Sequence, residues 1–593
     1  MKVIRCLLRY VFPYQRLALG ALMAMLLVTA SNLLTPQIIR WLIDDGIMAE
    51  AWDGIIWATV VLVLLAVARG GFSFLNSFWA ESVSQSVAYD LRNELYSKLE
   101  SLSFSYHDKN RTGQLITRAT SDVEGVRNFL AQGILQLISA IVTFVGSAVI
   151  LLLTEWRLAL VALTTIPLII GLFVWLFGQL GPRFGKVQQE LGNLNTVLQE
   201  NIAGVRVVKI FTGEARELAL YREQNERLYT QNLGVVRLFS LGFPTVFFLA
   251  NVGSFLVIWY GGNLVIDDAL SLGTLVAFNS YLAFLLMPIF QIGFISQQLS
   301  RASASGGRIF DVLHAESDVL ERPNAIELPE YVDGHIVFDR VCFHYPAVEE
   351  AAIKHVSFEV QPGATIAIVG TTGSGKSTLV NLIPRFYDVS QGAVYLDGHD
   401  VRDLTLDSLR SRIGIVLQDV NLISGTIREN ITYGAPNATQ RQIERVTRAV
   451  QAHKFILEQP NGYDTVIGER GVGLSGGQRQ RIAMARALIT RPCLLIFDDS
   501  TSALDAETEG KILRVLAPLL RKLTAFIIAQ RISTVRAADE IFVIDKGQIV
   551  ARGTHQELLE HSPLYAEILA SQLEADEPAG TPTGLRKRKV THA

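Results

Sequence analysis

Six long apolar runs decide what this chain can become. They lie near residues 17–43, 54–82, 131–154, 157–180, 237–265 and 272–295. Each is long enough to cross a hydrocarbon core of roughly 30 Å, which takes about 20 helical residues. Buried helices of a soluble bundle are the alternative, but Ala140 to Leu153 contains no charge at all, which favours a lipid surround. The loop after the first run holds Asp44, Asp45, Glu50 and Asp53 and no Lys or Arg. The N-terminus (Lys2, Arg5, Arg9, Arg16) and the segments 83–130 and 181–236 are rich in positive charge. Positive charge is retained on the cytoplasmic side, so both termini and both long segments are expected there, in a cell (inner or plasma) membrane. The basic N-terminus lacks the short apolar core and small-residue site of a cleaved signal peptide.

The two long segments keep a helical period. Val83 to Leu102 and Val187 to Ile210 place apolar residues three to four apart between charged ones, so the spanning helices are expected to continue beyond the bilayer. At 1.5 Å per residue, about 20 extra residues reach roughly 30 Å. Breaks at Phe104-Ser105-Tyr106-His107 to Gly113 and at Phe211-Thr212-Gly213-Glu214 mark the tips, as short docking helices or as plain polar turns. Within the spans, Arg69, Asn251, Asn279 and Gln291 either line a substrate path or pair between helices, with Arg69 the first candidate for a path. Trp41, Trp57, Trp79, Trp156, Trp259 and Tyr260 read as interfacial anchors. A net charge of −3 gives no basic footprint for nucleic acid, and none is expected as a partner. Cys6, Cys342 and Cys493 have neither disulfide nor metal spacing.

Composition changes after about Val332, where strand-like and helix-like segments alternate around Gly-rich turns. Gly370-Thr371-Thr372-Gly373-Ser374-Gly375-Lys376-Ser377 follows the apolar strand Ala364 to Val369 and precedes the helical Thr378 to Leu382. Strand, turn and helix in that order are the setting a P-loop requires. Its glycines let backbone N–H groups curl round phosphate oxygens at a helix N-terminus. Lys376 is expected on the β- and γ-phosphates of ATP, and the Ser377 hydroxyl on Mg2+.

Leu474-Ser475-Gly476-Gly477-Gln478, followed by Arg479-Gln480-Arg481, is the signature of ATP-binding cassette (ABC) proteins. With six preceding spans, residues 1–572 resemble one half of an ABC exporter. The resemblance implies an α-helical transmembrane domain, with long cytoplasmic extensions, fused to an α/β P-loop domain of ABC type. The boundaries expected are 1–16 for an N-terminal elbow, 17–311 for the membrane domain, 312–333 for a linker and 334–572 for the nucleotide-binding domain. Residues 573–593, with Arg586-Lys587-Arg588-Lys589, read as a disordered tail, either solvated or touching anionic lipid.

The same resemblance implies roles. Tyr345 stacks on adenine, the P-loop and Thr378 hold the phosphates, and Gln418 senses Mg2+ and the attacking water. Asp498 binds Mg2+, Gly468-Glu469-Arg470-Gly471 contacts the membrane arms, and Ser502-Ala503-Leu504-Asp505 communicates across a dimer. Two such domains close head to tail, so Ser475, Gly476, Gly477 and Gln478 cover the ATP held by a partner's P-loop.

Two positions depart from the family pattern. Asp499 stands where a glutamate orients the attacking water, and Gln530 stands where a histidine contacts the γ-phosphate. Asp is one methylene shorter, a retreat of roughly 1 Å, and misplacement on that scale costs about 10²-fold. General-base catalysis as a whole contributes roughly 10²–10⁴-fold. An amide cannot carry the charge or take the proton of an imidazole. The P-loop and the signature are intact, so the chain is expected to bind ATP, hydrolyse it slowly, and lend its signature to a different half-transporter with the consensus Glu and His and either an intact or an altered signature of its own. That pattern resembles the degenerate-site subunit of heterodimeric bacterial multidrug ABC exporters. A homodimeric, low-turnover, ATP-gated or regulatory membrane module is the alternative. Drug, lipid and peptide substrates all suit an apolar pathway.

Overall fold

The computed structural model describes residues 2–576 apart from 330, 347, 349, 469, 470, 472, 500–505 and 530–534. The chain divides into two compact units. One comprises Met1–Glu100 and Gly113–Ala315; the other comprises Ser101–Thr112 and the chain from Glu316 onward.

The first unit is helical. A short helix, α1 (Lys2–Arg9), precedes α2 (Phe12–Ile47) and α3 (Trp52–Ser101). Between them and the remaining spans lies α4 (Phe104–Lys109), which belongs to the second unit. The other spans are α5 (Thr112–Thr154), α6 (Trp156–Ala203), α7 (Glu214–Ile266) and α8 (Leu272–Leu313). All six long helices carry a window apolar enough to cross a membrane, and their lengths of 36 to 53 residues exceed the roughly 20 a bilayer needs. The extensions that the helical period in 83–102 and 187–210 implies are therefore present. Three of the helices are irregular, and α2 opens on a 3-10 turn at Phe12–Tyr14 and closes in π-helical turns at Leu42–Ile47. Helix α5 contains π-helical turns at Arg118–Asp122 and Phe129–Gly133. Helix α6 breaks its regular winding at Thr164, where Pro167 cannot donate to the Leu163 carbonyl.

Small residues let the helices approach. A Cβ on Gly242 would lie 2.6 Å from Leu176, and one on Gly253 2.8 Å from Thr165, so α7 meets α6 closely at both points. Asp44 accepts from the Ser271 hydroxyl at 2.5 Å and from the Gly273 N–H at 2.8 Å, which pins the start of α8 to the end of α2. Tyr281 donates to the Leu33 carbonyl at 2.5 Å from within the core. Arg69 donates to Asn32 at 3.2 Å, and Ser254 donates to Asn279. Two of the four intramembrane polar candidates are thus engaged between helices, while Asn251 and Gln291 are exposed. Trp79 packs its ring against Gly20, where a Cβ would come within 2.9 Å, so this tryptophan is a helix-packing residue.

The second unit is built on two main sheets and a short antiparallel pair, β7 (Gly425–Thr426) with β8 (Val466–Ile467). A six-stranded sheet has the order β12 (Gln548–Gly553), β11 (Glu540–Asp545), β3 (Thr365–Gly370), β10 (Thr524–Ile528), β9 (Leu494–Asp498), β6 (Ile413–Val416). Strands β11, β3, β10, β9 and β6 run parallel, and only β12 is antiparallel. All five residues of β9 and of β10 are buried, which is why Leu494 to Phe497 and Ala525 to Ile528 read as continuous apolar runs. The smaller antiparallel sheet has the order β2 (Ile353–Val360), β1 (Ile336–Phe343), β4 (Gln391–Leu396), β5 (His399–Asp400). Open parallel sheets bind ligands beyond the carboxyl ends of their strands, and β3 and β9 both end in candidate site residues.

Candidate nucleotide site

The site begins where β3 runs into the loop Gly370–Gly375 and on to a six-residue helix, α9 (Lys376–Asn381). The loop is glycine-dependent for a geometric reason. Gly373 and Gly375 have φ of 79° and 103°, and a Cβ on Gly375 would stand 2.6 Å from the Ala352 carbonyl oxygen. Within the loop the Ser374 hydroxyl is buried and has no hydrogen-bond partner. A buried hydroxyl without a partner is costly, and a phosphate oxygen is the acceptor this cradle suits. Lys376 Nζ donates to the carbonyls of Gly370 at 3.0 Å and Thr371 at 2.7 Å, so its ammonium hangs over the same cradle. Burial lowers its pKa against the opposing pull of Asp498 and Asp499.

Strand β10 separates β3 from β9, and the end of β9 faces the loop. Ser377 Oγ donates to Asp498 Oδ1 at 3.0 Å. Asp498 is only 6 % exposed, and burial raises its pKa despite the Ser377 bond and the nearby Lys376. A paired hydroxyl and carboxylate are hard oxygen donors of the kind Mg2+ takes. Among the described residues no group of three His, Cys, Asp or Glu side chains is placed to hold a metal. An ion here would draw its remaining ligands from phosphate and water, the usual Mg2+ habit. Bound there, it would neutralise phosphate charge; Ser377 and Asp498 are the side chains that fit it.

Asp499 follows in a left-handed backbone conformation, φ 46°, which Asp tolerates better than most residues. Its N–H donates to the Ile528 carbonyl at 3.1 Å, and the residue is buried. Gln418 Nε2 donates to Asp499 Oδ2 at 3.4 Å, a long contact that nonetheless brings these two sequence candidates together. Tyr345 reaches the other side of the loop, its hydroxyl 3.1 Å from Thr378 Oγ1. The tyrosine ring is half-buried with one edge supported by Tyr387, 5.4 Å away and nearly perpendicular.

The signature stands apart. Ser475 caps α10 (Gly476–Ile489) through a reciprocal pair: its hydroxyl accepts from the Gln478 N–H, and Gln478 Oε1 accepts from the Ser475 N–H at 2.8 Å. Ser475 is exposed. No hydrogen bond among the described residues ties Ser475, Gly476, Gly477 or Gln478 to the P-loop. Gln530, Glu469, Arg470 and Ser502 to Asp505 lie outside the described residues.

Two features outside the site carry weaker signals in the sequence. Phe386 and Tyr387 follow the P-loop helix within Arg385-Phe386-Tyr387-Asp388, where buried Arg385 is fixed by Asp388 at 2.6 Å and by the Leu320 carbonyl at 2.9 Å. The Phe104 ring of α4 lies 4.4 Å from Phe386, and the Tyr387 hydroxyl donates to Asp108 Oδ2 at 2.6 Å. Burial, together with Asp108, pushes the Tyr387 phenol up. The break at Phe104 to Gly113 announces α4 in the sequence; nothing there announces its partners. In the helical unit, a cavity of about 770 Å3 is lined by phenylalanines of α5 to α8, among them Phe144, Phe173, Phe177, Phe184, Phe239 and Phe294. Ser296, Gln297 and Ser300 supply its polar edge, and no charged side chain lines it.

Comparison with known proteins places both units. A family profile described as the ABC transporter transmembrane region matches residues 18–289, and one described as ABC transporter matches residues 353–502. An uncharacterised ABC transporter ATP-binding protein, YknU of Bacillus subtilis (strain 168), is 38% identical over 569 residues, 96% of this chain and 97% of the relative. An ATP-dependent lipid A-core flippase of Syntrophus aciditrophicus (strain SB) is 34% identical over 97% of this chain and 96% of the relative. Among solved structures, a bacterial Atm1-family ABC exporter with ATP bound superimposes with a TM-score of 0.79 at 27% identity, covering 96% of this chain and 99% of that one.

Proposed function

Because the chain belongs to the ABC transporter family, as an exporter half with membrane and ATP-binding parts fused, we propose that it serves an asymmetric pair in which it binds ATP durably and a different half-transporter hydrolyses it. The family places it as a multi-pass membrane protein whose ATPase domain drives export, and exporters of this kind act as dimers. Exposed Ile202, Val207, Ile210 and Phe211, at the tip between α6 and α7, are uncovered apolar surface of the sort a second chain covers.

One observation carries the asymmetry: an intact, exposed Ser475 cap stands in the same chain as the shortened Asp499 carboxylate. The P-loop with Thr378 grips phosphate, Tyr345 carries the adenine, and Ser377 with Asp498 suits the Mg2+ side. Asp499, reached by Gln418 and set back by one methylene, leaves the attacking water poorly held. Gln530 in place of histidine removes a proton acceptor. ATP favours the closed pair only through its higher affinity for that state, and hydrolysis at the partner's site resets it. We assign 17–311 to the membrane and 334–572 to nucleotide binding, with both termini and the nucleotide domain cytoplasmic, as the positive charge of 83–130 and 181–236 supports. The uncharged, phenylalanine-lined cavity supports a hydrophobic or amphipathic cargo.

Co-purification with a second half-transporter bearing the consensus Glu and His tests the pairing. Ser475→Arg in this chain is expected to lower the turnover of the complex about 10²-fold or more, as loss of a transition-state donor does. Asp499→Asn should leave it near wild type. Equal losses from the two changes, or brisk turnover by the homodimer, would reject the asymmetric assignment in favour of a symmetric one.

A further inference from the structure

A second cavity, of about 680 Å3, lies among α2, α3 and α5 in the helical unit. It sits where α3 and α5 approach their long extensions, beside Met25 and Val28 of α2, and its chemistry is unlike that of the phenylalanine cavity. Three amides line it: Asn76 from α3, and Gln132 and Gln136 from α5. Amides are sparse in lipid-spanning helices and usually face a cavity or a neighbouring helix. Asn76 has no such neighbour, since its Oδ1 is buried and lacks a hydrogen-bond partner. That oxygen only accepts, so whatever completes it must bring an O–H or N–H. Gln132 and Gln136 stand one turn apart on one face and offer both donors and acceptors.

The helix is shaped for this. Gln132 lies within the π-helical turn Phe129–Gly133, and single π turns inside α-helices gather at functional sites. Gly133 permits the turn, because a Cβ there would meet the Phe129 ring at 2.5 Å. The one carboxylate on the wall, Glu81, is paired through Oε1 with Arg127, which it shares with Glu124, and Gln85 donates to the same oxygen at 2.8 Å. The polar end of the cavity therefore presents hydrogen-bonding groups and no cationic side chain. Met25, Val28, Phe74, Phe78 and Leu135 make most of the remainder apolar, with the hydroxyls of Ser77 and Ser139 added to the polar lining.

We infer that this cavity binds the uncharged, hydroxyl-bearing head group of an amphipathic molecule, with Asn76 accepting from a hydroxyl and the tail lying along α2 and α5. Anionic head groups find no free cation there. That the bound molecule is also cargo rests on the exporter function proposed above; its binding does not.

The probe is a monoglucosyl diacylglycerol carrying a photoactivatable acyl chain, compared with phosphatidylglycerol carrying the same chain, on the full-length protein in lipid nanodiscs. Mass spectrometry should find the glucosyl lipid on peptides spanning 71–82 or 131–139, and phosphatidylglycerol there about tenfold less. Asn76→Leu should lower glucosyl labelling about tenfold, as loss of a buried hydrogen bond does, and Gln136→Leu should lower it by a smaller factor. Retention of ATP binding by each variant reports folding of the nucleotide unit, and the lipid comparison in the wild type needs no variant. Equal labelling by the two lipids, unchanged labelling in both variants, or cross-linking of Asn76→Cys to a second copy would overturn the assignment. Movement of the glucosyl lipid across proteoliposomes is read separately. Labelling without ATP-driven movement removes it as cargo and leaves the binding site standing; movement without labelling removes the site.

Discussion

Asp498 and Asp499 are consecutive and buried, yet their carboxylates answer to different demands. Asp498 is held out of water next to Ser377 and Lys376, and burial makes its charged form unfavourable. The sign follows from linkage: an acid whose folded pKa is raised costs stability above that pKa, and the cost disappears below its ordinary value of 3.8. Asp498→Asn should therefore raise the melting temperature of the nucleotide-free protein at neutral pH, by roughly 2–4 °C for each kcal/mol relieved. The gap should close as the pH is lowered towards 4, and Mg2+-dependent ATP binding should be lost throughout. A variant no more stable than wild type at neutral pH would show that the carboxylate is not strained by burial. The identity of these residues was legible in the sequence because a P-loop and a following apolar strand have fixed positions relative to one another. The left-handed backbone at Asp499, and the Gln418 contact to it, were not legible, since both depend on loops whose paths are set by tertiary packing.

Among the elements, α4 is the informative one. It has only six residues, too few to be stable alone, and it holds its shape by packing Phe104 on Phe386 and bonding Asp108 to Tyr387. Tyr387 also supports the Tyr345 ring, so one tyrosine joins the proposed adenine platform to the helix that links α3 and α5. Tyr387→Phe keeps the ring and deletes the bond to Asp108. ATP binding should persist, measured with a fluorescent nucleotide, while stimulation of ATPase by transported substrate in the paired complex should fall. Unaltered stimulation would mean that the hydroxyl has no part in coupling. The spanning helices were legible from hydropathy alone, and their extensions from a period that survives into charged sequence. The π turns of α5 were not, because one additional residue in a turn changes hydrogen bonding without changing composition. For the same reason Asn76, Gln132 and Gln136 did not stand out beside Arg69 and Asn279, whose partners proved to be ordinary interhelical ones.

For the whole molecule, the membrane and ATP-binding parts follow from sequence and family, and the division of labour between two chains is the claim that reaches furthest. It depends on the chain being good at holding ATP and poor at cleaving it. The grip has the glycine geometry, the partnerless Ser374 hydroxyl and the Lys376 ammonium behind it. The poor cleavage we propose rests on one methylene at position 499 and one ring at position 530. Both can be restored within the same chain, with no partner to identify. The most direct measurement is steady-state ATPase of the purified chain in nanodiscs, wild type against Asp499→Glu combined with Gln530→His, at matched ATP binding. Turnover is expected to rise by about 10²-fold or more in the double variant, with wild type retaining uncleaved ATP. Equal turnover in the two proteins, with wild type releasing ADP at the same rate, would contradict the account.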